Sequence, residues 1–99
     1  MPASFIPSYP DYALKMPYFE KATLVKVTRS KDGIGIDLQP AGSCSATHVL
    51  FLRRAKGKVS VVPNIGTGEA IETVAGTVPR AIRVFLAMNH VANPGNIPV

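Results

Sequence analysis

Residues 22–38 read ATLVKVTRSKDGIGIDL, and this stretch decides the fold. Val25 and Val27 alternate with Lys26 and Thr28, the two-residue period of a half-buried strand. Ile34, Ile36 and Leu38 alternate in the same way with Gly35 and Asp37. Between the runs, Ser30-Lys31-Asp32-Gly33 carries an Asp-Gly pair, a strong short-range signal for a hairpin turn. The segment therefore predicts two antiparallel strands, 22–29 and 34–38.

Towards the C-terminus the punctuation repeats. Pro40-Ala41-Gly42-Ser43 breaks the chain, and 46–53 (ATHVLFLR) is a third strand. It is apolar on both faces at its centre, which suits a central place in the sheet. Ala55-Lys56-Gly57 turns into a fourth strand at 58–62 (KVSVV), ended by Pro63-Asn64. Residues 69–74 (EAIETV) read as strand or short helix, with strand preferred. Thr77 is then a helix cap, and Pro79 falls in the first turn, where a missing N–H costs nothing. The helix is expected to run over 77–92 and to stop at Asn93-Pro94-Gly95. Its residues Arg80, Arg83, Ala87 and His90 form one narrow stripe, and almost everything else on it is apolar. Ile82 and Phe85 are the expected core contacts, and a helix so apolar in girth calls for a second covering surface.

Upstream, residues 1–20 (MPASFIPSYPDYALKMPYFE) hold four prolines, which bias the chain to extended geometry. Their aromatics argue against a disordered tail. They read as an extended arm lying on a surface, with a short turn of helix allowed near 11–15. The fold expectation is thus α+β: an antiparallel meander of four or five strands with one C-terminal helix packed on it, preceded by a Pro-rich arm. One domain over 21–99 suits a chain of 99 residues.

Composition narrows the function classes. Charged residues make up only 17% and hydrophobic residues 46%, so apolar surface is left for a partner to cover. The net charge of +5 suits a polyanion, or a solvated basic surface. With one cysteine, Cys44, no disulfide forms within the chain. There is no secretory pattern and no apolar run of membrane-spanning length, which fits a reducing, cytoplasmic setting.

Recognisable catalytic machinery is missing from the pattern. Cys44 precedes His48 by four residues, but on a strand this spacing does not stack the two, and no Asn or Asp stands ready by sequence to orient the imidazole. One cysteine and two histidines make no structural zinc site. Gly66-Thr67-Gly68 lacks the Lys-Ser/Thr pair of a phosphate loop. Glu69 and Glu72, three apart on a strand, face opposite ways. His90 reads as a solvated histidine. No cofactor and no small-molecule substrate are implied.

Two functional readings remain. The first is a non-enzymatic structural or assembly protein, a small subunit that self-associates as a homo-oligomer or docks on a larger particle (a virion decoration protein is one example). Its contacts would be the arm residues Phe5, Ile6, Tyr9, Tyr12, Tyr18 and Phe19. The second is a small basic nucleic-acid-binding module. In an up-and-down meander the turns at 30–33 and 54–57 share one end of the sheet, which gathers Arg29, Lys31, Arg53, Arg54, Lys56 and Lys58 with Asp32 the only acid nearby. Several phosphates could be neutralised there. An inhibitor or immunity-type role leaves no sequence trace.

Overall fold

Five strands follow one another in the chain and in space: β1 (Thr23–Arg29), β2 (Gly33–Gln39), β3 (Thr47–Arg54), β4 (Lys58–Pro63) and β5 (Ile71–Ala75) form one sheet in the order β1-β2-β3-β4-β5, every pair antiparallel. Among the described residues one α-helix, α1 (Val78–Met88), packs on one face. The computed structural model describes residues 10–64 and 71–99, and only the backbone of Ile71 and Glu72. The fold is the α+β meander that the hairpin pattern predicts, with 46–53 at its centre as β3. Residues 71–75 are strand.

The core is the inner sheet face against α1. Leu24, Leu38, Ile36, Val49, Phe51, Val59, Val61 and Val74 are buried there, facing Val78, Ala81, Ile82 and Phe85. Phe85 is the pivot, with ring centroids 5.5 Å from Phe51 and 5.6 Å from Phe19. In β1 the period slips: Leu24 opposes Leu38 and Lys26 opposes Asp37, so Val25 is a bulged residue and stands 48% exposed. Val25 and Val27 therefore do not share the buried face; Leu24 and Val27 do. A bulge inserts one unpaired residue and inverts the alternation beyond it.

The hairpin glycine acts by closeness and not by dihedral freedom. A Cβ on Gly33 would lie 2.0 Å from the Phe51 carbonyl oxygen on β3. The β3–β4 turn does use left-handed backbone, at Lys56 (φ 62°) and Gly57 (φ 68°).

Two expectations are corrected. First, residues 10–20 are not an extended arm. They form two 3-10 turns, Asp11–Leu14 and Pro17–Phe19, and bury Leu14 and Phe19 completely in the core. Pro10 precedes the first turn and Pro17 starts the second, where each is tolerated, and Phe19 at the end of the second turn is drawn into apolar contact with Phe85.

Second, α1 ends at Met88, not at 92. His90 takes a left-handed φ of 52°, its N–H donates to the Ala87 carbonyl, and the Val91 N–H reaches back to Leu86. That is a Schellman cap. The second covering surface that α1 calls for comes in part from residues 10–20, since Leu14 and Phe19 join the core with Phe85, while Val91, Ile97 and Val99 of the tail also pack against that core. Past the cap the tail turns back beside the free edge of β1, with Ala92 bridged in parallel to Thr23 and its carbonyl accepting from the Leu24 N–H.

Candidate polyanion-binding groove

An odd number of antiparallel strands fixes where the helix begins. The β1–β2 turn, the β3–β4 turn and the end of β5 all fall at one end of the sheet, so α1 starts there too. Thr77 caps it, its hydroxyl accepting the Arg80 N–H at 3.3 Å. The positive end of the helix dipole therefore faces the same region as the hairpin cations.

Between these parts lies a groove of about 380 Å³, lined by Arg29, Ser30, Gly33, Ile34, Arg53, Arg54, Gly57, Lys58, Gly76, Thr77, Val78 and Pro79. Four of the six cations singled out by sequence are in that lining. Lys31 and Lys56 remain exposed on the two turns. The register shows how they converge. Arg29 pairs with Ile34, Ile34 pairs with Phe51, and Arg53 lies two residues beyond Phe51. Arg29, Ile34 and Arg53 thus share the inner face, with Ile34 between the two arginines. Arg54 and Lys58 oppose each other on the outer face.

Each arginine is fixed by a neutral oxygen. Arg29 Nη2 donates to the Pro98 carbonyl at 3.1 Å. Arg53 Nη2 donates to the Lys31 carbonyl, while the Arg53 backbone N–H donates to Asp32 O at 2.9 Å. Arg54 Nε donates to the Ser60 hydroxyl at 2.9 Å. Among the described residues the ion pairs are His48–Asp37, Arg80–Asp11 and His90–Glu20, and none involves these three arginines. A guanidinium bonded to a carbonyl is oriented without being neutralised, so its charge stays available to an incoming anion. Arg54 and Lys58, directly opposed like charges, work against the hairpin's stability.

The floor is apolar: Ile34, Val78 and Pro79. Helix-terminus residues Gly76 to Pro79 were not singled out by sequence, although the Thr77-Pro79 start signal together with strand parity would have placed them here.

Elsewhere, His48 is not the unoriented imidazole that its sequence neighbours suggest. Asp37, directly opposite on β2, bonds its Nδ1 at 2.6 Å. The ring lies over Gly35, whose added Cβ would fall 2.5 Å from His48 Cε1. Cys44 is exposed, and among the described residues no hydrogen bond joins it to His48. His90 pairs with Glu20 Oε2 and is not on α1. Arg80 makes a two-point bond to Asp11 (2.7 and 3.2 Å), which holds the Asp11 carboxyl below its usual range and raises the Arg80 guanidinium.

Of the assembly-contact residues, Phe19 is fully buried in its own domain and presents nothing to a partner. Tyr12 and Tyr18 are exposed, at 72% and 53%. Phe5, Ile6 and Tyr9 lie outside the described residues, as do Gly66-Thr67-Gly68, Glu69 and the side chain of Glu72. No helix among the described residues is long and apolar enough to cross a membrane. Searches of protein-family profiles, of characterised proteins and of solved structures find nothing that matches this chain.

Proposed function

We propose that this protein is a small nucleic-acid-binding module that holds the phosphate backbone at the hairpin-tip end of its sheet. One observation carries the reading. Three arginines, oriented by neutral oxygens and without carboxylate partners among the described residues, border one groove at a helix N-terminus. A solvated basic surface needs no such anchoring.

The test is affinity for a single-stranded oligonucleotide as a function of salt. Four groove cations neutralising phosphates of a single strand give a slope of log K against log salt of roughly −3, at about −0.7 per contact. Replacing Arg29, Arg53 and Arg54 by Gln should flatten that slope to about −0.7 and leave the fold intact, since exposed charges carry little stability. Wild-type binding no tighter than about 10⁻⁴–10⁻⁶ M at physiological salt, or a variant with the slope unchanged, overturns the proposal.

The assembly reading keeps one supporting observation, the exposed side chains of Tyr12, Tyr18 and Val25. It loses the buried Phe19 and the covered helix flanks. Solution mass with and without nucleic acid separates the two: a stable homo-oligomer that ignores oligonucleotide favours assembly.

A further inference from the structure

We propose that the groove takes a single unstacked nucleotide, its base entering over Ile34 between the side chains of Arg29 and Arg53. This rests on the nucleic-acid reading and goes beyond it, because backbone contact alone requires no cavity and no apolar floor.

The cavity of about 380 Å³ falls at the small end of ligand pockets, which run from about 300 to 1,000 Å³. It has room for one nucleotide and not for a stacked pair. β1 and β3 flank β2, so the strands that carry Arg29 and Arg53 stand two spacings apart, about 9–10 Å, with Arg53 two residues further towards the turn end. Ile34 lies between them on the same face.

A flat base fits that slot, with apolar contact below from Ile34 and Pro79 and a guanidinium at each side. Arginine planes are established stacking partners for splayed-out bases. Here each guanidinium is already held by a hydrogen bond, Arg29 to Pro98 O and Arg53 to Lys31 O, so less side-chain freedom is lost on binding. The phosphates flanking that base then meet Arg54, Lys58 and the start of α1. A duplex cannot enter without flipping a nucleotide out of its stack, so the groove selects single strands.

The experiment uses the whole protein and fluorescence anisotropy with a short labelled thymidine strand. The comparison probes are the same strand made wholly abasic, the matching duplex, and unlabelled thymidine monophosphate and inorganic phosphate as competitors. The abasic strand should bind about tenfold or more weakly with the same salt slope, because the backbone charges are unchanged while the stacking contact is gone. The duplex should be weaker than the single strand, and thymidine monophosphate should compete better than inorganic phosphate. Ile34→Glu should lose the preference for the base-bearing strand, and Ile34→Val should keep it.

Equal affinity for abasic and base-bearing strands, with the steep slope retained, overturns the nucleotide slot and leaves the backbone-binding reading standing. Absence of salt-dependent binding to every strand overturns both.

Discussion

Asn89→Ala tests the joint on which the far end of the molecule depends. Asn89 is fully buried, and its side chain makes three hydrogen bonds. Oδ1 accepts the Met16 N–H at 2.8 Å, and Nδ2 donates to the carbonyls of Leu14 (2.9 Å) and Phe85 (2.8 Å). The residue fastens the two 3-10 turns to the last turn of α1. Alanine leaves the Met16 N–H and the Leu14 carbonyl without partners; Phe85 O keeps the Asn89 backbone N–H at 3.1 Å.

Each orphaned buried group costs about 1–3 kcal/mol, so the loss is about 2–6 kcal/mol. Against a total of about 5–15 kcal/mol for a domain, that is a large fraction. At about 4–8 °C per kcal/mol for this chain length, the central value lowers Tm by about 16–32 °C. Urea denaturation followed by circular dichroism measures it directly. Asn89→Asp sharpens the test: it keeps the acceptor for Met16 but sets a carboxylate oxygen against two carbonyls. Burial favours its neutral form, so this variant should gain stability as pH falls. A shift below about 1 kcal/mol for Asn89→Ala would refute the claim that Asn89 organises residues 10–22.

Other expectations follow from single contacts. Phe85→Ala removes the ring between Phe19 and Phe51 and should cost about 3–5 kcal/mol, read as a denaturation midpoint; a near-neutral result would mean the core is elsewhere. Asp11 has a folded-state pKa below its unfolded one, so its stabilising pairing with Arg80 is complete above the ordinary carboxylate range and is lost as pH falls through the lower folded value. Stability measured below about pH 4 should show this loss in wild type and not in Asp11→Asn. Gly33→Ala forces a methyl onto the Phe51 carbonyl and should destabilise by about 2 kcal/mol or more. Phosphate at constant ionic strength should raise Tm, by an amount equivalent to about 2.7 kcal/mol at a hundred times its Kd, and Arg29→Gln with Arg53→Gln should abolish the rise.

The strand order was legible because each turn carries its own marker and neighbouring hairpins pair by default. What stayed hidden was decided by contacts distant in sequence. Nothing in ATLVK announces that Val25 is bulged; that follows from pairing with β2. The end of α1 was misplaced because Asn93-Pro94-Gly95 is conspicuous punctuation, whereas the true stop is a histidine in left-handed geometry, held by Glu20 from seventy residues away. The N-terminal prolines looked like those of an arm because local propensity cannot see that Leu14 and Phe19 complete a core with α1. The basic cluster could be inferred from strand parity alone. The anchoring of its arginines could not, since Pro98 and Lys31 reach them only through the fold.

The two ends of the sheet differ in how they treat charge and polarity, and that contrast bears on function. At the far end the buried Asn89 makes three side-chain hydrogen bonds, and the carboxylate of Glu20 is paired with His90. At the near end Arg29, Arg53 and Arg54 bond neutral oxygens and form no ion pair among the described residues. Asp32, on the β1–β2 turn, offers its backbone carbonyl to Arg53 while its carboxylate makes no ion pair with them, and Asp11 is taken up by Arg80. Stability alone does not account for such an arrangement, since like charges gathered in one place oppose folding. Cations gathered with no carboxylate partner among the described residues mark a functional site more often than a defect. On the proposed reading an anion from outside the chain answers the three arginines, and the groove with its apolar floor sets the size and shape that this anion presents.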